Sequence, residues 1–240
     1  MVGRKRATAT HLDHRTGLEA NLVGDGELSR TRAVALLLHG GKETSDSPVA
    51  ARQLAVLRMV PLARHLVGVG AERGLAVWRL RFRYRGWNED SAHPMEDLEW
   101  ALRQMRLRHG RVPVVIVGHS MGGRAALRGA GADGVAGVVG LAPWVPEGEP
   151  REQLSGRRVL VVHGARDRIT SAQRSREFVA AIRPIAEEAI YVGLRGSGHA
   201  MLQRTQLWNR LTSDFVLHAG LGHGLRAPLS QALATGDVMI

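Results

Sequence analysis

The segment Gly118-His119-Ser120-Met121-Gly122-Gly123 sets a serine between glycines two residues away on either side. In a G-x-S-x-G pattern the serine stands on a sharp strand-to-helix turn, and its neighbours must lack side chains because the two backbones nearly touch there. A hydroxyl so placed becomes an effective nucleophile only if a base removes its proton. Two downstream segments supply a base and an acid to orient it. His163-Gly164-Ala165-Arg166-Asp167-Arg168 puts Asp167 just past an apolar run, and Arg195-Gly196-Ser197-Gly198-His199 does the same for His199. A serine, an aspartate and a histidine in this chain order can carry acyl transfer through a covalent intermediate. The catalytic candidates are therefore Ser120 as nucleophile, Asp167 as acid and His199 as base. Read singly, Asp167 could also be a turn or N-cap residue before Thr170 and Ser171, and His199 could cap its loop. Glu147 and Glu149 are rival acids.

The tetrahedral intermediate of such a reaction needs preorganised donors for its oxyanion. The amide of Met121, the residue after the nucleophile, is one candidate. The other comes from the loop Leu38-His39-Gly40-Gly41-Lys42, where glycines let the backbone approach a substrate: the amide of Gly41, with Gly40 second. His39 reads as structural, at the end of a strand. His119 and His163 flank catalytic candidates and read as loop braces, His93 as the start of a helix. His218 and His223 lack metal-ligand spacing.

These residues must be held by an alternating scaffold. Apolar runs of strand length occur at 33–38, 75–82, 112–117, 135–141, 159–162 and 189–194, separated by stretches of helical length. Residues 112–117 are apolar on both faces and rich in β-branched side chains, as a central parallel strand covered on both sides should be. Leu98, Leu102 and Met105 mark an amphipathic helix over 96–109. Pro61 should break or kink the helical stretch 49–67, and Phe178, Ala181 and Ile182 mark another helix ending before Pro184. Strands alternating with helices predict an α/β fold with a parallel sheet. Asp-Gly at Gly24-Asp25-Gly26 predicts a hairpin within 18–31. Residues 1–10 read as a flexible arm, 11–218 as one domain, and the Gly-rich segment 219–240 as a mobile tail whose last three residues could dock.

The 240 residues include 44% hydrophobic ones, enough for a sizeable core. The chain has no cysteine, which excludes disulfides, thiolate metal sites and a cysteine nucleophile. We expect no metal and no cofactor. The start of the chain lacks the apolar core of a secretory signal, and no uninterrupted apolar stretch approaches membrane-spanning length. A cytoplasmic protein without a membrane span is the expectation. The net charge of +11 is carried mostly by arginines spread along the whole chain, so no nucleic-acid partner is expected despite a pI near 11.4. The densest cluster is Arg79, Arg81, Arg83 and Arg85, which alternation would place on one side of a strand.

Taken together, His39-Gly40-Gly41, Gly118-His119-Ser120-Met121-Gly122-Gly123, His163-Gly164-Ala165-Arg166-Asp167 and Gly198-His199 resemble the α/β-hydrolase superfamily over about residues 33–217. The likeness is to small, capless serine hydrolases of actinobacterial type, with esterases, lipase-like and dienelactone-hydrolase-like enzymes as relatives. The last group usually carries a cysteine nucleophile where this chain has serine. The resemblance implies an α/β-hydrolase fold, a mostly parallel central sheet with helices on both faces. Lids in the superfamily commonly lie between the strand after the nucleophile helix and the acid-bearing strand. Here only residues 143–158 fill that gap, so no substantial lid domain is expected. The implied function is cleavage of a carboxylic ester, or a related acyl bond, in a small-molecule substrate. Trp87, Trp144 and Met201 are the implied pocket residues, with Met121 beside them. A thioesterase or acyltransferase with the same triad, and a non-catalytic scaffold of the same fold, are the alternatives.

Overall fold

The computed structural model describes residues 7–12, 19–25, 31–89 and 91–240. Nine strands make one sheet: β1 (Thr8–Leu12), β2 (Glu19–Asp25), β3 (Ala33–Leu38), β4 (Leu75–Arg81), β5 (Val114–His119), β6 (Val135–Leu141), β7 (Arg158–Gly164), β8 (Glu188–Leu194) and β9 (Asp237–Met239). Their spatial order is β1-β2-β4-β3-β5-β6-β7-β8-β9. β1 and β2 pair antiparallel, as do β2 and β4, and every other pairing is parallel. β5 is thus central, and all its residues are buried. It begins after Pro113, whose ring removes a ladder donor and suits a strand's edge rather than its interior.

The pleat divides each buried strand between two cores. On β5, Val114 and Ile116 join one face, and Val115 and Val117 the other. The first face is covered by α2 (His93–His109), α3 (Met121–Arg128) and α4 (Ala172–Ile182), through Leu98, Ala126 and Phe178. The second is covered by α1 (Leu54–Gly70), α5 (Thr205–Leu221) and α6 (Leu229–Thr235), through Leu62, Phe215 and Leu229. Between β6 and β7 lies only a short 3-10 turn, Glu152–Leu154, so no lid domain covers the carboxyl edge of the sheet.

Four sequence expectations differ from the structure. Pro61 does not divide its helix: α1 runs unbroken through it, held on the sheet by buried Met59, Leu62, Ala63 and Leu66. With the 3-10 turn after it, this helix is long and apolar enough by composition to cross a membrane, yet those side chains are part of the core. Residues 219–240 are not a mobile tail. They finish α5, form α6 with Leu229 and Ala232 fully buried, and add β9 to β8. Met239 packs so closely over Gly193 that a Cβ there would lie 1.9 Å from its sulfur. At the other end, residues 8–10 belong to β1 rather than to an arm, while 1–6 lie outside the described residues. The hairpin expected within 18–31 does not turn at Gly24-Asp25: both belong to β2, which pairs with β1 and β4, while Gly26 of the expected turn lies outside the described residues.

Candidate active site

At the carboxyl end of β5 the chain reverses into α3 through Ser120, at φ 56° and ψ −118°. A non-glycine residue there carries strain of order 1–3 kcal/mol, which the surroundings must enforce. They do so by contact. A Cβ on Gly118 would lie 1.9 Å from the carbonyl oxygen of Gly122, and one on Gly122 would lie 2.5 Å from that of His39. The Ser120 amide donates to the Leu141 carbonyl at 3.0 Å, and the Trp144 amide donates to the Ser120 carbonyl at 3.1 Å. Ala142 and Met201, also at positive φ, border the same region.

His199, on the loop after β8, places Nε2 3.0 Å from Ser120 Oγ and Nδ1 2.8 Å from Asp167 Oδ2. An ionised carboxylate only accepts, so Nδ1 carries the proton and Nε2 is free to accept from the serine hydroxyl. Asp167, on the loop after β7, is fully enclosed as a side chain. Its Oδ1 accepts from the amides of Ile169 (2.8 Å) and Thr170 (3.0 Å). Its Oδ2 accepts also from Thr170 Oγ1 (2.9 Å) and from His163 Nε2 (3.1 Å). Burial alone would raise this carboxyl, but the donors from His163, His199, Thr170 and Ile169 hold it well below the usual carboxylate range. Asp167 forms the turn and meets His199 at once, since the Asx turn toward Thr170 leaves its Oδ2 to His199.

The rival acids are engaged elsewhere. Glu149 is buried and accepts from Arg124 Nε (2.8 Å) and Arg128 Nε (2.6 Å), and Glu147 is exposed beside Arg174.

His39 shapes the loop facing the nucleophile. Its Nδ1–H donates to the Gly40 carbonyl at 2.7 Å, and its Nε2 accepts from the Phe82 amide at 3.1 Å. Burial pushes its pKa down to about 4, which keeps the ring neutral. The Gly40 backbone rests against the serine: a Cβ there would sit 3.2 Å from Ser120 Cβ. Among the described residues, the amides of Gly40 and Gly41 have no hydrogen-bond acceptor. The Met121 amide, first in α3, has no preceding helical turn to donate to. These are the three amides that sequence reasoning selected for the oxyanion.

His119 adds a contact that the sequence did not reveal. Its Nε2–H donates to the His199 carbonyl at 2.8 Å, tying the base's loop to the strand of the nucleophile. Burial, followed by the nearby His199, pushes its pKa down to about 3.

The pocket expectation divides. Met201 lines an apolar cavity of about 270 Å³ beside the triad, between the starts of α1 and α5. Trp87 and Trp144 lie outside it. They stand edge to face, ring centroids 6.4 Å apart, and the Arg124 guanidinium lies 4.2 Å from one ring and 4.5 Å from the other. Placement after strand ends put them near the site, but a buried arginine claims their faces. The arginines at 79, 81, 83 and 85 do not form one row on a strand: β4 ends at Arg81, and Arg83 beyond it is buried and paired with Asp97 and Glu96.

The sequence matches the family described as alpha/beta hydrolase domain over residues 32–207. No curated protein matches it at a significant level. Among solved structures, it is similar to a CIB-like hydrolase from Thermoplasma acidophilum, with TM-score 0.62 and 21% identity, over 88% of this chain and 99% of that one. Est1E from Butyrivibrio proteoclasticus matches with TM-score 0.65 and 16% identity, over 88% of this chain and 98% of its own. Esterase 2 of Thermogutta terrifontis, in a form phosphorylated by paraoxon, matches with TM-score 0.68 and 15% identity, over 90% and 95%.

Proposed function

The chain belongs to the alpha/beta hydrolase domain family, and from that premise we propose that it hydrolyses a carboxylic ester of a small molecule through a Ser120-His199-Asp167 triad and an acyl-enzyme. The observation that carries this reading is the unbroken hydrogen-bond path from Ser120 Oγ through both nitrogens of His199 to a carboxylate held ionised by four other donors. A scaffold has no need to hold a serine at positive φ against a base.

In this mechanism His199 Nε2 takes the Ser120 proton as Oγ attacks the substrate carbonyl. Asp167 fixes the tautomer and stabilises the imidazolium. The negative charge that develops on the carbonyl oxygen is met by the amides of Met121 and Gly41, with Gly40 next to them. Collapse of the tetrahedral intermediate transfers the His199 proton to the leaving alcohol. Water, deprotonated by the same nitrogen, then attacks the acyl-enzyme and restores the serine. Every proton moved is held by His199, so the chain's own residues balance the reaction.

The test is hydrolysis of 4-nitrophenyl esters from acetate to decanoate, together with fluorophosphonate labelling, by the native protein and by Ser120→Ala. Turnover and labelling that both vanish in Ser120→Ala support the reading. A native protein that neither turns over these esters nor takes the label overturns it.

A further inference from the structure

The cavity beside His199 carries one feature that its apolar walls do not require. Arg58, on the first turns of α1, lines it together with Leu57, Leu141, Met201 and Trp208. Among the described residues, the two buried arginines are each clasped by two carboxylates: Arg83 by Asp97 and Glu96, and Arg124 by Glu149 and Glu89. Arg58 is partly buried and, among the described residues, has no carboxylate within ion-pair distance. Removing a guanidinium from water without a counter-charge costs free energy, and burial accordingly lowers its pKa. On α5, which also lines the cavity, the buried indole N–H of Trp208 has no acceptor among the described residues. The rim is apolar in the opposite sense: Leu54, Leu57 and Leu202 are exposed large side chains, and clustered exposed apolar surface marks a place where something binds.

The cavity is joined to the triad through its neighbours. Ala200 and Met201 follow His199 in the chain, and the Leu141 carbonyl accepts the Ser120 amide. A guest held in this cavity therefore lies against residues that adjoin His199 and Ser120. We propose that Arg58 recognises an anionic carboxylate on the substrate, so that the preferred ester has an apolar part in this cavity and carries a carboxylate besides the ester group. The proposal rests on the esterase reading and names its substrate class. An apolar chain satisfies Leu57, Met201 and Leu141, and the carboxylate gives Arg58 the bidentate partner that it lacks. The net charge of +11 favours the same sign of substrate at long range.

The experiment uses matched ester pairs at fixed ionic strength. One pair carries the charge on the acyl side: the mono-4-nitrophenyl ester of suberic acid against its methyl-capped neutral counterpart. The other carries it on the alcohol side: 4-acetoxybenzoate against its methyl ester. The native enzyme is expected to prefer the anionic member of one pair, which also tells which half of the ester enters the cavity. In Arg58→Met the anionic-to-neutral ratio of kcat/KM should fall about ten- to a hundredfold, the range that hydrogen bonds to charged groups support, and Arg58→Lys should retain part of it. Circular dichroism checks that both variants are folded. A native enzyme that turns over neutral esters with no anionic preference overturns the proposal, and so does a preference that survives Arg58→Met, which would belong to the overall charge. Turnover of no ester at all, with no fluorophosphonate label, fails the esterase reading itself and takes the proposal with it.

Discussion

The Gly40 carbonyl and the Gly41 amide belong to one peptide unit, which is planar and trans, so its C=O and N–H point in opposite directions. By donating to the Gly40 carbonyl at 2.7 Å, His39 therefore turns the Gly41 N–H the other way, away from its own ring. On the proposed mechanism, His39 is thus a positioning residue for the second oxyanion donor. His39→Leu removes the donor to Gly40 and the acceptor for Phe82 together, in a site that is 1% exposed. Two buried groups left unsatisfied cost about 2–5 kcal/mol of stability. If the freed peptide turns its N–H away, kcat should fall about ten- to a hundredfold, since misplacement by an ångström costs on that order and outright loss of a donor costs 10²–10³. His39→Asn keeps a donor near the Nδ1 position and should retain most of kcat while still losing the Phe82 contact. The assay is kcat on 4-nitrophenyl acetate beside urea unfolding followed by tryptophan fluorescence. A folded His39→Leu protein with kcat within twofold of native would refute the reasoning. A pH series adds a second check. The folded-state pKa of His39 is about 4, against 6.5 unperturbed. Between those values the unfolded chain binds a proton that the folded one refuses. The stability that this neutral ring contributes is complete above about pH 6.5 and is lost as pH falls toward about 4, by at most about 3 kcal/mol. The stability gap between native and His39→Asn should narrow over that window; a gap constant with pH would contradict a buried neutral His39. His119 adds a similar acid limb, but to both proteins equally.

Three other perturbations follow from the packing. Asp167→Asn should lower kcat by about 10³–10⁴ through the wrong tautomer of His199. Because the folded pKa of Asp167 lies below the ordinary range, its contribution to stability is present above about pH 4 and lost below it, so unfolding curves of native and variant should converge in acid. Arg124→Met leaves the Glu149 carboxylate buried with only Arg128, and should cost about 3–5 kcal/mol in urea unfolding; Arg124→Met with Glu149→Gln should recover part of that loss, and an additive double variant would contradict the pairing. Ending the chain at residue 227 removes α6 and β9, uncovers the outer edge of β8 and should lower the melting temperature and promote aggregation, read by light scattering during a thermal scan; an unchanged melting temperature would mean that these elements are not part of the cooperative unit.

What could be read from the chain depended on whether the signal was local. The strand 112–117 and its following glycines announce themselves because a central parallel strand is apolar on both faces and an elbow tolerates no side chains at 118 and 122; the structure shifts that strand only to 114–119. The chain order of serine, aspartate and histidine was likewise visible, since each follows a strand and parallel strands end on one edge. Where the deciding partner is distant in sequence, the reading failed. Trp87 and Trp144 follow strand ends as pocket residues would, yet their faces belong to Arg124, which no local pattern links to them. Residues 219–240 looked unstructured because β9 has three residues, too few for a period, and its pairing with β8 is set by tertiary contact. Pro61 lowers helix propensity, and the burial of Met59, Leu62 and Leu66 overrides it.

The site also shows how one histidine among four becomes the base. His39, His119, His163 and His199 all gather at the carboxyl edge of the sheet, and sequence alone separates them only by the chain order of the triad. Position decides. His39 is buried, with one nitrogen donating to Gly40 and the other accepting from Phe82. His119 is buried and spends its proton on the His199 carbonyl. His163, fully enclosed, is held between Asp167 and the Ser175 hydroxyl, 3.0 Å from its Nδ1. Burial drives the first two toward the neutral state near pH 7, and neither has a hydrogen bond to Ser120. His199 alone reaches Ser120, keeps its side chain partly open to solvent, and has an ionised partner behind it to stabilise the positive charge it must acquire. The other three histidines hold the surroundings: His39 fixes the Gly40–Gly41 peptide, His119 ties down the loop of His199, and His163 adds a donor that keeps Asp167 ionised.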